Sequence, residues 1–171
     1  MQKRTVKTHR KKRTPAAPLK HEPCDLEISI ADQELRLRCG GRLTRTYPIS
    51  SSRFGLGTEE GSLKTPLGRF RIAEKIGSGM PPGTIFRSRI PLRPEDPLPD
   101  TEDLITSRIL WLEGVERHNA NTKDRYIYIH GTKHEARIGE PDSHGCIRMR
   151  NADVIELFDL VQEGTPVRII D

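Results

Sequence analysis

The chain lacks long hydrophobic runs. Hydrophobic residues make up only 33% of its 171 positions, and no apolar stretch reaches the roughly 20 residues that a membrane-spanning helix needs. The N-terminus carries the positive charge that opens a secretory signal, but the apolar segment that must follow is missing. The sequence therefore excludes a transmembrane helix and predicts no signal peptide. As written, the chain is expected in the cytoplasm.

Cysteine is also scarce. The three cysteines, Cys24, Cys39 and Cys146, are odd in number and far apart. A disulfide framework of the kind found in small secreted domains needs a larger and even set. A Cys24–Cys39 bridge remains open, but free thiols are the expectation.

Acidic residues are almost absent from the first part of the chain. Residues 1–22 hold eight Lys or Arg and one Glu, so they account for more than the whole net charge of +5. Such a segment cannot bury apolar surface. We predict a disordered basic arm over residues 1–23 and one folded domain over residues 24–171. The arm could contact an anionic surface, and no specific nucleic acid is expected as a partner.

Alternation of apolar and polar residues predicts a mostly β domain with about seven strands. The first three should form an antiparallel meander. One helix is expected over residues 151–161, with Asn151 as its N-cap and Gly164 and Pro166 after its end. The predicted strands cover residues 26–30, 34–39, 43–49, 70–76, 109–112, 126–130 and 165–170.

Two long segments offer little regular pattern. Residues 50–68 are rich in Ser, Gly and Thr, and residues 77–106 are interrupted by Pro and Gly. Each is either a functional loop or an ordinary connection, and the second could cover a cleft. Trp111 is expected in the core and His118 in solvent.

The segment from Tyr126 to Met149 contains the residues for nucleophilic catalysis. Cys146 follows Gly145, whose small size permits a tight turn, so the two backbone N–H groups could stabilise an oxyanion. The helix starting shortly afterwards and the charge of Arg148 are both expected to favour the thiolate of Cys146.

Two histidines compete for the role of base. His130 ends a strand on the face that it shares with Tyr128, and this face should border a cleft, whereas His144 lies two residues before Cys146. Four residues, His130, His134, His144 and Cys146, are also candidate ligands for zinc. The spacing matches no common zinc motif, and we predict no metal.

The motif His130-Gly131, followed by Ser-His-Gly-Cys-Ile-Arg-Met at 143–149 and by Asn151, resembles the L,D-transpeptidase catalytic domain family (YkuD-type). The turn Thr-Pro-Leu-Gly-Arg-Phe at 65–70 is similar as well, and the resemblance covers residues 26–170. It implies a mostly β, sandwich- or barrel-like catalytic domain with one main helix after the catalytic cysteine.

The resemblance also implies roles. Cys146 would be the nucleophile, His130 the base, and the Gly145 and Cys146 amides the oxyanion hole. Residues that shape the site or bind substrate would be Ser143, His144, Arg148 and Tyr128. Some family members have a hydroxyl residue after the histidine that helps to hold it, where this chain has Gly131. Either a backbone carbonyl holds the imidazole here, or the base is held less firmly.

The implied reaction is acyl transfer on peptidoglycan tetrapeptide stems, one as donor and one as acceptor, without a cofactor. The thioester on Cys146 would be resolved by an amine, giving a 3→3 cross-link. An L,D-carboxypeptidase would use water instead. The alternative to an enzyme is a non-catalytic module that binds the cell wall or a polyanion. The substrate implies the cell envelope or periplasm, in contrast to the missing signal, and the sequence does not predict the oligomeric state.

Overall fold

The computed structural model describes residues 22–101 and 103–171. The prediction of a disordered arm over residues 1–23 therefore lies almost wholly outside the described residues. Within them the protein is mostly β, with one α-helix, as predicted. The strands are β1 (Cys24–Ser29), β2 (Glu34–Cys39), β3 (Arg42–Pro48), β4 (Gly68–Ile76), β5 (Ile85–Arg87), β6 (Ile90–Pro91), β7 (Ile105–Gly114), β8 (Tyr128–Gly131), β9 (Ile147–Met149) and β10 (Pro166–Ile170), and the helix is α1 (Asn151–Leu160).

The strands form a mixed sheet in the order β3-β2-β1-β10-β4-β7-β5-β6, and β8 joins it by pairing with β7 and β9. The meander of β1 to β3 is antiparallel, as predicted. Two pairs are parallel, β1 with β10 and β8 with β9. The second of these pairs brings the catalytic candidates together.

The strand β7 separates two hydrophobic clusters because its side chains alternate between two buried faces. Leu110 and Leu112 belong to the main core, together with residues of α1 and the central strands. Ile109 and Trp111 lie in a smaller cluster, against which Cys146 packs. Trp111 is buried, as expected. The site therefore lies on the side of β7 opposite the main core.

The N-cap of the helix lies one residue earlier than predicted. Arg150 has an extended backbone and is the N-cap, while Asn151 is already helical. The side chain of Asn151 instead donates to the carbonyl of Thr132 and accepts from the hydroxyl of Thr106. Its polar group therefore ties α1 to the sheet rather than closing the first helical turn. Among the described residues no helix is long and apolar enough to cross a membrane.

The expectation that all three cysteines are free was wrong. Cys24 and Cys39 form a disulfide, and Cys146 is a free thiol. The reason is the strand register, which places Cys24 directly opposite Cys39 in the β1–β2 ladder. Opposed positions bring the Cβ atoms within about 4.5–5.5 Å of each other, close enough to allow a bridge.

Three short strands, β5, β6 and β9, were not predicted, because two or three residues carry too little periodicity. The predicted strand over residues 126–130 begins only at Tyr128, since Tyr126 has a φ of +56°. The strand predicted over residues 109–112 extends over ten residues as β7.

Candidate active site

The parallel pairing of β8 with β9 places His130 and Cys146 on the same side of the sheet. Ile129 pairs with Ile147, and both side chains are buried in the main core. Because neighbouring side chains in a strand point to opposite faces, the residues flanking these isoleucines face the other way. His130 and Cys146 accordingly line one cavity.

The Cys146 thiol is held by backbone groups. Its Sγ accepts the N–H of Tyr128 at 3.3 Å and donates to the carbonyl of Tyr126 at 3.4 Å. Burial raises the pKa of the thiol to about 12, although the Tyr128 N–H acts in the opposite direction. The expectation that the surroundings favour the thiolate was therefore wrong. At neutral pH the cysteine is protonated and needs a base.

Two features explain why the expected positive influences are weak. The guanidinium of Arg148 is neutralised by Asp103 and Asp142 at 2.7 Å each. The first N–H of the helix, that of Asn151, donates to the carboxylate of Glu135 at 2.7 Å. Both positive groups are thus occupied by carboxylates, and burial dominates the pKa of Cys146.

His130 is in the state that a base requires. Its Nδ1 lies 2.6 Å from the carbonyl of Gly131, so Nδ1 carries the hydrogen and Nε2 keeps its lone pair. Burial lowers the pKa of His130 below its ordinary value of 6.5, against the opposing charge of Asp103. The imidazole is therefore neutral at pH 7. Of the two possibilities that the sequence left open, the structure shows a backbone carbonyl holding the imidazole.

The position after His130 has no room for a side chain. A Cβ on Gly131 would lie 2.6 Å from both the Thr106 carbonyl and Asn151 Oδ1. We expect Gly131→Ala to destabilise the protein by about 1–3 kcal/mol through overpacking, and to lower turnover because the carbonyl holding His130 must shift. Urea unfolding measures the first effect. Equal stability of Gly131→Ala and the wild type would contradict the steric argument.

His144 has a different environment from His130. Its Nε2 lies 2.9 Å from a guanidinium nitrogen of Arg53, and because arginine only donates, Nε2 is the acceptor. Its ring also packs against that of Phe54, with centroids 5.7 Å apart. The lone pair of Nε2 is thus already engaged, which favours His130 as the base and leaves His144 as a wall of the site.

The Ser143 side chain stabilises the turn formed by residues 143–146. It is fully buried, its hydroxyl donates to the Cys146 carbonyl at 2.6 Å, and it accepts the Gly145 N–H at 3.2 Å. Gly145 has a φ of +117°, which favours glycine. For the predicted oxyanion hole to form, the Gly145 N–H must release the Ser143 hydroxyl and donate to the substrate oxygen instead. The Cys146 N–H makes no hydrogen bond to Ser143.

The loop over residues 50–68 is hydrogen-bonded at several points to residues 143–148, the segment that contains Cys146. Ser50 and Arg148 exchange backbone hydrogen bonds, and the Ser143 N–H donates to the carbonyl of Ser51. The buried hydroxyl of Thr65 donates to the Gly145 carbonyl at 3.0 Å. Of the two interpretations left open by the sequence, the structure therefore favours a functional loop that positions the catalytic turn.

Sequence reasoning missed Asp103. Its side chain is only 11% exposed, its carboxylate is bonded to Arg148, and it lines the same cavity as His130. Burial would raise the pKa of Asp103, but His130, which is protonated at the low pH where Asp103 titrates, and the Arg148 cation hold this pKa below 3.8. Asp103 belongs to an acidic, proline-rich stretch, where no local signal distinguishes it from its neighbours.

Residues 77–106 form one wall of the cavity around Cys146, whose volume is about 460 Å³. A second cavity of about 600 Å³ shares His144 and Thr101 with it. The segment thus borders a cleft, in agreement with one of the two interpretations that the sequence left open. The first cavity is lined by Ser88, Arg89, Thr101, Asp103, Ile105, Tyr126, Tyr128, His130, His144 and Cys146.

The four candidate metal ligands do not converge. His134 borders the second cavity and His130 the first. Within residues 22–101 and 103–171, no group of three His, Cys, Asp or Glu side chains is placed to hold a metal ion.

Known proteins are similar to this chain in sequence or in fold. The protein YkuD of Bacillus subtilis (strain 168), named as an L,D-transpeptidase, is 32% identical over 147 residues, which are 86% of this chain and 66% of that protein. A solved L,D-transpeptidase fragment from Xylanimonas cellulosilytica matches with a TM-score of 0.58 at 21% identity, over 90% of this chain and 63% of that one.

A Mycobacterium smegmatis L,D-transpeptidase matches with a TM-score of 0.56 at 20% identity, over 88% of this chain and 59% of that one. The chain thus spans about two thirds or less of these relatives. At these identities the solved structures show the fold alone. The family model of the L,D-transpeptidase catalytic domain (YkuD) matches residues 25–169, and with it the chain belongs to the L,D-transpeptidase catalytic domain family.

Proposed function

We propose that the protein is an L,D-transpeptidase that acts through a thioester on Cys146. The observation that carries the proposal is the placement of Cys146 and His130 in one cavity, with His130 Nδ1 bound to a backbone carbonyl so that Nε2 can accept a proton. The raised pKa of the thiol and the lowered pKa of the imidazole agree with it. Together with membership of the family, this arrangement supports acyl transfer by a neutral thiol–imidazole pair.

The steps follow from the two protonation states. The thiol leaves the Tyr126 carbonyl, His130 Nε2 takes its proton, and Sγ attacks the carbonyl of the third stem residue. Backbone N–H groups at Gly145 and Cys146 stabilise the oxyanion. The bond to D-alanine breaks as His130 returns the proton to the leaving amine. An amine of a second stem then attacks the thioester, loses its proton to His130, and frees the thiol with formation of a 3→3 cross-link.

Intact-mass analysis after incubation with imipenem tests the nucleophile. Related L,D-transpeptidases are described in complex with imipenem and with a faropenem-derived adduct. We expect one covalent adduct on the wild type and none on Cys146→Ala, with unchanged thermal unfolding of the variant. A folded wild-type protein that forms no adduct and releases no D-alanine from a tetrapeptide would contradict the proposal.

Product analysis on tetrapeptide stems separates the two possible acceptors. A cross-linked dimer that appears as D-alanine is released supports transpeptidation. Tripeptide as the sole product, also at high stem concentration, would make the protein an L,D-carboxypeptidase with the same machinery.

We also propose that the protein works in the cell envelope, where such stems occur. The Cys24–Cys39 disulfide supports this location because disulfides persist in oxidising compartments. Fractionation of cells that express the natural protein tests it, and exclusive recovery with cytoplasmic markers would contradict it.

A further inference from the structure

Arg89 enters the cavity of Cys146 from the tip of the β5–β6 hairpin. Its guanidinium lies over the rings of Trp111 and Tyr126, at 4.5 and 5.3 Å from their centroids. It also donates to the Tyr128 hydroxyl at 3.1 Å. The backbone N–H of the same tyrosine contacts Cys146 Sγ, so one tyrosine residue links the arginine to the nucleophile.

The backbone at this tip is costly for the residues present. Ser88 and Arg89 have φ values of +47° and +69°. A two-residue hairpin loop with both angles positive strongly prefers Asn-Gly. A bulky residue there points to a role for its side chain, since strained positions cluster at functional sites.

The other charged groups of the cavity are already balanced. Asp103 pairs with Arg148, while His130 is neutral and Cys146 is protonated. Among the described residues Arg89 forms no ion pair with a carboxylate, and Glu74, the nearby acid, pairs with Lys123 at 2.8 Å. Arg89 therefore offers the cavity a positive charge, and four guanidinium N–H groups remain beyond the one given to Tyr128.

We propose that Arg89 binds a carboxylate of the stem substrate, namely the terminal carboxylate of the residue that leaves. This inference rests on the proposed function. In a tetrapeptide this carboxylate lies one residue beyond the scissile carbonyl, on the order of 4 Å away, so a stem bound at Cys146 brings it into the cavity that Arg89 enters. A guanidinium matches a carboxylate with two parallel hydrogen bonds. Arg89 thus selects stems that end directly after the scissile bond.

The test compares tetrapeptides that end in a free carboxylate or in a carboxamide, with release of D-alanine or its amide as the readout of kcat/KM. We expect the wild type to prefer the acid by about tenfold or more. Arg89→Gln should lose activity on the acid alone and remove the preference. Arg89→Lys keeps the positive charge but not the two parallel N–H donors, so it should retain part of the preference for the acid. The control is Arg87→Gln, because Arg87 is exposed and donates to the Pro97 carbonyl.

A third substrate keeps the terminal carboxylate but has every other stem carboxylate amidated. It should behave like the unmodified stem in all variants, and an Arg89 effect that disappears with it would overturn the assignment to the leaving residue. An equal loss of both acid and amide activity in Arg89→Gln and Arg89→Lys would show a structural role and overturn the inference. A wild type that cleaves both forms equally well overturns this inference alone, whereas no turnover of any stem overturns the proposed function with it.

Discussion

Replacing His130 with Gln is expected to lower the rate of Cys146 acylation by about 10²–10⁴-fold at pH 7, the range for loss of a general base. The reason is the burial that raises the pKa of Cys146 to about 12, so the thiol does not ionise by itself near neutrality. Glutamine keeps a polar side chain of similar size but accepts no proton. The rate of imipenem adduct formation, followed by mass, measures the effect.

His144→Gln is the matched control, since it removes the competing imidazole. In the wild type, His144 Nε2 already accepts a hydrogen bond from Arg53. We therefore expect His144→Gln to lower the acylation rate by less than about tenfold, the value of one hydrogen bond. The opposite order, with His144→Gln the more damaged variant, would assign the base to His144.

The pH dependence of wild-type acylation separates a neutral pair from a preformed thiolate. His130 acts as a base only when it is unprotonated, and burial lowers its pKa below 6.5. The rate should therefore fall only below pH 6.5 and stay level from there to pH 9. A reaction that used free thiolate with a pKa of about 12 would instead rise about tenfold per pH unit across that range.

Replacing Arg148 with Met is expected to cost about 3–5 kcal/mol of unfolding free energy, as for other buried pairs that lose one partner. Only 4% of the Arg148 side chain is exposed, and it bonds to both Asp103 and Asp142. Asp142 retains Arg137 at 3.4 Å, so Asp103 is left as the uncompensated charge. Urea unfolding at pH 7.5 measures the loss.

Two further measurements distinguish this charge effect from a general packing defect. Asp103→Asn in the Arg148→Met background should recover much of the loss, since it removes the stranded charge. In Arg148→Met itself, the buried Asp103 charge keeps His130 as its main possible cation. Uptake of a proton by this pair then stabilises the folded state, so the deficit should shrink as the pH falls toward 5.

The exposed neighbour supplies the control for the arginine substitution. Arg150 lies 4.0 Å from Asp153 at the surface, and Arg150→Met should change stability by less than about 1 kcal/mol. A similar, small cost for Arg148→Met would contradict a buried structural ion pair.

Local patterns predicted much of the fold because strands and helices differ in the period of their apolar residues. The alternation at residues 26–39 predicted β1 and β2, and the apolar stripe after Asn151 predicted α1. The short strands β5, β6 and β9 were missed because they are held by partners from other parts of the chain rather than by their own sequence.

By itself, the sequence indicated the segment of the candidate nucleophile, the choice of His130 as the candidate base, and a mostly β domain with one helix. The tertiary structure decided the properties that depend on neighbours distant in sequence. Burial determined the protonated state of Cys146, and the pairing of Arg148 with Asp103 removed a charge that the sequence had assigned to the thiol. The placement of Arg89 beside Tyr128 is of the same kind, because desolvation and charge pairing arise only where the fold brings separate segments together.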